Sequence, residues 1–258
     1  MSEYVPCVRK NPSGRPLFYP FAPRFERPIG TKKGKKREGE EERYVNFVSK
    51  NEGAATAAHK QLYFKMNIAG CERKLPLCPL TDDLYIGAFV IFGDPELTTA
   101  CAKELLKRAP AYDYMISAEA KGIPLVHEMA RLAGNQKYML ARKAHKLYMP
   151  DVLEVKVHSI TTAKEQMLCI DKEDAALMKG KRILIVDDVI STGESLKALE
   201  TLVEKAGGHI CGRLTILAEG DAQQRENLLY LEKLPLFRRE KDGTMSILGE
   251  ASGEIVSE

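Results

Sequence analysis

Residues 182–186, Arg-Ile-Leu-Ile-Val, limit the choice of fold more than any other stretch of the chain. Four successive apolar residues leave a strand no polar face, so both of its sides must be covered. Two carboxylates follow at once, Asp187 and Asp188, and then a short polar run into "ESLKALETLVEK", which has the period of a helix closed by Gly207-Gly208. A doubly covered strand that feeds a helix belongs to a largely parallel sheet.

The neighbouring segments agree. "QLYFKMNIA" alternates apolar Leu62, Phe64, Met66 and Ile68 with other residues, and Ala69-Gly70 turns it into "CERKLPL", a hairpin ahead of the main sheet. Asp94 before Pro95 starts a helix with Leu97, Cys101, Leu105 and Leu106 on one side. Residues 112–118 read as a strand, 123–134 as a helix closed by Gly134, and "KYMLAR" as another strand. Residues 151–170 are β-rich, and 210–218 form the last long strand. The expected class is α/β, with a mostly parallel central sheet, helices on both faces, and a small hood made from the first hairpin.

Charge and proline divide the chain. Residues 1–50 carry 12 Lys and Arg against 6 Asp and Glu, and the first thirty hold six prolines. Such a segment cannot bury a face, so 1–58 is expected to be a Pro-rich basic extension, poorly ordered. Residues 59–239 form the folded domain, and 240–258 a C-terminal tail. The formal charge of the whole is only +3, too small to imply a nucleic-acid partner by itself, and the sharper reading of the basic arm, contact with RNA or DNA, rests on the short Lys32–Arg37 patch alone. The longest apolar run is Ala88–Phe92, too short to span a membrane. Six cysteines without a C-x-x-C pair read as reduced thiols of a cytoplasmic protein.

Ligands of such sheets bind at the carboxyl ends of the strands. Asp187 and Asp188 stand at one such end, before Val189, Ile190, Ser191, Thr192, Gly193, Glu194 and Ser195. Free amides at the start of the next helix, glycine at 193 and three hydroxyls make a phosphate cradle. A plain helix cap explains the hydroxyls but not two carboxylates in front of them. Neither G-x-x-x-x-G-K-[ST] nor G-x-G-x-x-G occurs, so the pattern suits a sugar phosphate better than a common nucleotide fold.

This string resembles the phosphoribosyl pyrophosphate (PRPP) motif of type I phosphoribosyltransferases. "SAEAKGIPL" (117–125) is similar to the family's pyrophosphate loop, and "ARKAHKLYM" (141–149) to the basic stretch of its purine members. The likeness runs from about Leu62 to Phe237 and is nearest to the adenine and xanthine enzymes. It implies the type I fold, and displacement of pyrophosphate from PRPP by a purine base to give a nucleoside monophosphate. It also implies Mg2+ held through PRPP with no direct protein ligand, a homodimer, and neither membrane nor nucleic acid as partner.

By the same resemblance Asp187, Asp188 and Lys121 are the catalytic group, and residues 187–195 hold PRPP. Pyrophosphate falls to Glu119, Ala120, Lys121 and Gly122, with Arg142, Lys143 and Lys146 adding charge. Residues 144–168 correspond to a mobile loop, in which Thr161 and Thr162 stand near the place of the adenine enzymes' glutamate. Phe89, Ile91 and Phe92 are expected against the purine, although each could equally fill the core. Glu219 lies where xanthine-type relatives carry a lysine; a carboxylate there accepts from a 6-amino group and favours adenine. Two alternatives stay open: a xanthine-type enzyme, and a non-catalytic PRPP-sensing regulator that binds nucleic acid.

Overall fold

The computed structural model describes residues 61–158 and 165–257. The extension expected over 1–58 and the Thr161-Thr162 pair lie outside the described residues. In chain order, β1 (Leu62–Ile68) and β2 (Cys71–Pro79) form the expected hairpin, and β3 (Leu84–Gly87) pairs with β2. Helix α1 (Pro95–Arg108) starts where Asp94 accepts from the Leu97 amide at 3.0 Å. Arg73 on β2 holds that same carboxylate at 2.6 Å and so ties the hairpin to the helix.

β4 (Tyr114–Ala118) leads into α2 (Ile123–Ala133), which ends at left-handed Gly134, and then β5 (Met139–Ala141). β6 (Val152–His158) and β7 (Glu165–Asp171) pair antiparallel, so 152–158 and 165–168 of the stretch expected to be a mobile loop are strands of one hairpin. After α3 (Lys172–Met178) come β8 (Arg182–Ile190), α4 (Glu194–Lys205) and β9 (His209–Glu219). A 3-10 turn (Gly220–Gln224) then precedes β10 (Leu229–Leu234), β11 (Leu236–Arg239), β12 (Met245–Leu248) and β13 (Gly253–Ser257).

The central sheet has the order β10-β9-β8-β4-β5, and every neighbouring pair in it is parallel. β8 shows why its sequence has no polar face. Leu184 and Val186 enter one core with α1, α2 and the first hairpin, while Ile183 and Ile185 enter another with α3, α4 and the β6–β7 hairpin. All four are completely buried. Helices therefore cover both faces of an α/β sheet.

The hood is larger than a hairpin. Six antiparallel strands run β12-β11-β3-β2-β1-β13, so 240–258 is not a tail but supplies both outer strands. β9 is the last long strand, as expected, but the shorter β10 extends the parallel sheet beyond it. The outer strands escaped notice because they are four and five residues long and only half-buried, with no apolar run to mark them.

Candidate active site

From β4 the chain steps to β5 on one side, whereas from β8 it steps to β9 on the other. The loops after β4 and β8 thus diverge and leave a crevice at their carboxyl ends. A cavity of about 550 Å³ lies there, lined by residues 118–121, Lys143, Met167, Leu168 and 187–196.

The loop after β4 is packed tightly onto β8. A Cβ on Gly122 would meet Ser117 Oγ and stand 2.9 Å from Asp187 Oδ1, so glycine is what allows this approach. The Glu119–Ala120 peptide in the same loop is cis. The packing sets the Lys121 ammonium 3.1 Å from Asp188 Oδ2. Asp188 is 3% exposed and its Oδ2 makes no hydrogen bond, so Lys121 is its compensating charge. Asp187 accepts from the Asp188 amide at 2.9 Å. Burial first, and the Asp188 charge second, push the Asp187 carboxyl up to about 7.

Glu119 does not face the crevice as an isolated acid. It accepts from the Lys143 amide and from Arg142 Nη1, both at 3.1 Å, and lies 3.6 Å from Lys146 Nζ. The Lys143 amide, then the two cations, hold its carboxyl below the usual range. The residues assigned to pyrophosphate are therefore gathered in one place, with Lys143 on the cavity wall and Glu119 joining the strand end to the basic stretch.

Residues 187–195 all line the cavity. The first four of them still belong to β8, which continues to Ile190 and pairs through Asp187 with Thr215 and through Val189 with Leu217. The acidic pair thus sits on a rigid strand, and only 191–193 form the loop. Gly193 adopts φ +79 and begins α4.

The residues assigned to the base are scattered. Phe89 and Ile91 lie in the core, 5% and 0% exposed, and Phe92 is an exposed surface residue; none of the three lines the cavity. Core packing explains the first two, because the segment after β3 passes beneath the hood. Glu219 closes β9 at the same end of the sheet but does not line the cavity either. Burial pushes its carboxyl up, and the Lys121 charge pulls it back.

Sequence reading missed Met167 and Leu168 on the cavity wall, Ser117 beneath Gly122, and Arg225 behind Gly193. The apolar run Met167–Ile170 was a strand signal inside the supposed loop. Arg225 carried no signal, since it stands far along the chain from the loop it touches.

Residues 103–230 match the phosphoribosyl transferase domain. Adenine phosphoribosyltransferase of Petrotoga mobilis is 27% identical, over 64% of this chain and 94% of its own. Hypoxanthine/guanine phosphoribosyltransferase of Methanotorris igneus is 30% identical, over 60% and 82%. Xanthine phosphoribosyltransferase 1 of Clostridium perfringens is 30% identical, over 52% and 72%. With the domain match falling on the very segment that builds the crevice, and a 30% identical relative covered over 82% of its length, the chain belongs to the phosphoribosyltransferase family.

Proposed function

We propose that the protein joins a free purine, adenine by preference, to PRPP, giving the nucleoside 5'-monophosphate and pyrophosphate. The observation that carries this reading is the composition of one cavity wall: the 191–195 loop at the start of α4, the Asp187–Asp188 pair, and Lys121 and Lys143 opposite. These groups match the three parts of PRPP in order. Loop amides and hydroxyls receive the 5'-phosphate. The acidic pair accepts from the ribose hydroxyls, and Lys121 exchanges Asp188 for the pyrophosphate. Lys143 adds to that charge, while Glu119 keeps Arg142 and Lys146 nearby.

In the reaction the bond from C1 to the pyrophosphate oxygen breaks, a purine nitrogen bonds to C1, and the proton on that nitrogen is released. The sugar is cationic as the bond breaks, so fixed positive charge on the leaving group does most of the work. Removing one such contact costs on the order of 10²-fold in rate. The donor set suits Mg2+: hard carboxylate oxygens stand beside the phosphate positions, and Asp188 Oδ2 has no hydrogen bond of its own. Asp187 and Asp188 would face the cation, which would be held through the substrate's oxygens, while the Lys121 ammonium would turn to the pyrophosphate. When bound it draws charge from the departing pyrophosphate.

The preference for adenine rests on Glu219. Ionised, it accepts from the exocyclic amine and repels a 6-oxo group. A donor at this position would favour the second, xanthine-type reading.

Steady-state rates with PRPP and adenine, hypoxanthine, guanine or xanthine test this directly. The expected order puts adenine first in kcat/KM; xanthine first would transfer the assignment to the 6-oxopurines. Calorimetry adds the second half. D187N/D188N should lose PRPP binding, and unchanged affinity would remove the acidic pair from the site. PRPP binding without nucleotide formation from any base would favour a sensor over an enzyme.

A further inference from the structure

The 3-10 turn after β9 delivers a cation to the back of the 191–195 loop. Arg225 closes that turn, and its guanidinium lies against Gly193. A Cβ built on Gly193 would stand 2.7 Å from Arg225 Cζ and would meet Nη2. Its φ of +79 favours glycine at 193, and the guanidinium packs directly against that bare Cα. Arg225 Nη2 donates to the Thr192 carbonyl oxygen across 3.5 Å. Among the described residues no carboxylate lies within ion-pair distance of this guanidinium, so its charge is not spent on a local partner.

One planar trans peptide contains both the Thr192 carbonyl and the Gly193 N–H, and the two point in opposite directions. Holding the carbonyl towards Arg225 turns the Gly193 N–H away from it, to the side where residues 191–196 border the cavity. The guanidinium also adds positive charge behind the start of α4, where the helix already favours an anion.

We infer that Arg225 is a positioning residue for the terminal phosphate of the phosphosugar, acting through the Thr192–Gly193 peptide. The inference rests on the phosphoribosyl reading of the cavity and adds to it a residue from a different segment. Arg225 touches neither the acidic pair nor the pyrophosphate loop in any described contact. Its loss should therefore weaken one end of the substrate and spare the other.

The test uses the full chain, with calorimetric titration of ribose 5-phosphate and, separately, of inorganic pyrophosphate. R225M should bind ribose 5-phosphate at least tenfold more weakly while holding pyrophosphate within twofold of wild type. R225K, which keeps the charge without the flat fork, should recover part of the loss. In turnover, KM for PRPP should rise much more than kcat falls. Equal weakening of both ligands would mean general loss of structure and would overturn the assignment, as would unchanged ribose 5-phosphate affinity in R225M. A wild-type protein that takes up neither ligand would overturn the phosphoribosyl reading and this inference with it. Wild-type binding with an unaffected R225M overturns the inference alone.

Discussion

Asp187 shows how one residue can be costly to the fold and still be kept. Its carboxyl is pushed up to about 7 by burial and by Asp188, against an ordinary value of 3.8. A raised acid stabilises the folded chain while it stays protonated, and that contribution is lost as pH climbs through the folded value. The window therefore runs from about pH 4 to about pH 7. Asp187→Asn removes the ionisation and keeps an acceptor for the Asp188 amide, so the variant should be more stable than wild type at pH 8. A gain of about 2 kcal/mol or more, roughly 5 °C, is expected there, shrinking towards zero near pH 4.5. Scanning calorimetry at the two pH values reads it, and an equal shift at both would show that ionisation is not the cause. PRPP affinity should move the other way, strengthening from pH 6 to pH 8 as Asp187 ionises. The adjacent carboxylates were legible in the sequence as a site for this reason: a strand end buried on both faces has no structural use for them.

At the scale of elements, the pyrophosphate loop and the strand beside it act as one unit through Glu119. Its carboxylate bridges the turn after β4 to the Lys143 amide, Arg142 and Lys146, which follow β5. The sequence showed the basic stretch and the loop, but not their connection, because the two lie 23 residues apart and meet only once β4 and β5 pair. Residues 151–170 read as β-rich, but the pairing of β6 with β7 was hidden for a related reason: its register is written across the strands, as in Glu154 opposite Cys169, and not along either one. Glu119→Gln keeps the size and one hydrogen bond but releases the two cations. Inorganic pyrophosphate should then bind about tenfold more weakly, with a change in melting temperature of only a degree or two, since half-exposed ion pairs add little stability. Tighter binding in the variant would show that Glu119 competes with the ligand for these cations instead of arranging them.

For the molecule as a whole, the parallel sheet was readable because strands buried on both faces have a vocabulary of their own, and the six-stranded hood was not. Its outer strands are short and only partly buried, and the two meet their partners differently: Leu62–Met66 of β1 lies against Ser257–Gly253 of β13 from the far end of the chain, while Leu236–Arg239 of β11 lies against Leu248–Met245 of β12 in a local hairpin. The marks they leave are indirect. A Cβ on Gly253 would stand 2.5 Å from both the Lys65 carbonyl and the Phe64 ring, so β13 crosses where only glycine fits. Phe64 is fully buried and its ring meets that of Phe237 of β11 at a tilt, with centroids 5.1 Å apart, which places one aromatic pair beneath both halves of the hood. Deleting Thr244–Glu258 should therefore do more than trim an end. It uncovers the edges of β1 and β11, loosens the cover over Phe64, and leaves unpaired strand edges that invite association. A loss of about 3 kcal/mol or more, near 10 °C in melting temperature, is expected, with aggregation at micromolar concentration. Gly253→Val separates packing from length, because it drives a branched side chain into Phe64 without shortening the chain, and it should reproduce much of the loss. If the truncated protein instead melts with the full-length one and stays monodisperse by light scattering, the last fifteen residues are the dispensable tail that their composition suggests, and the hood is complete without its outer strands.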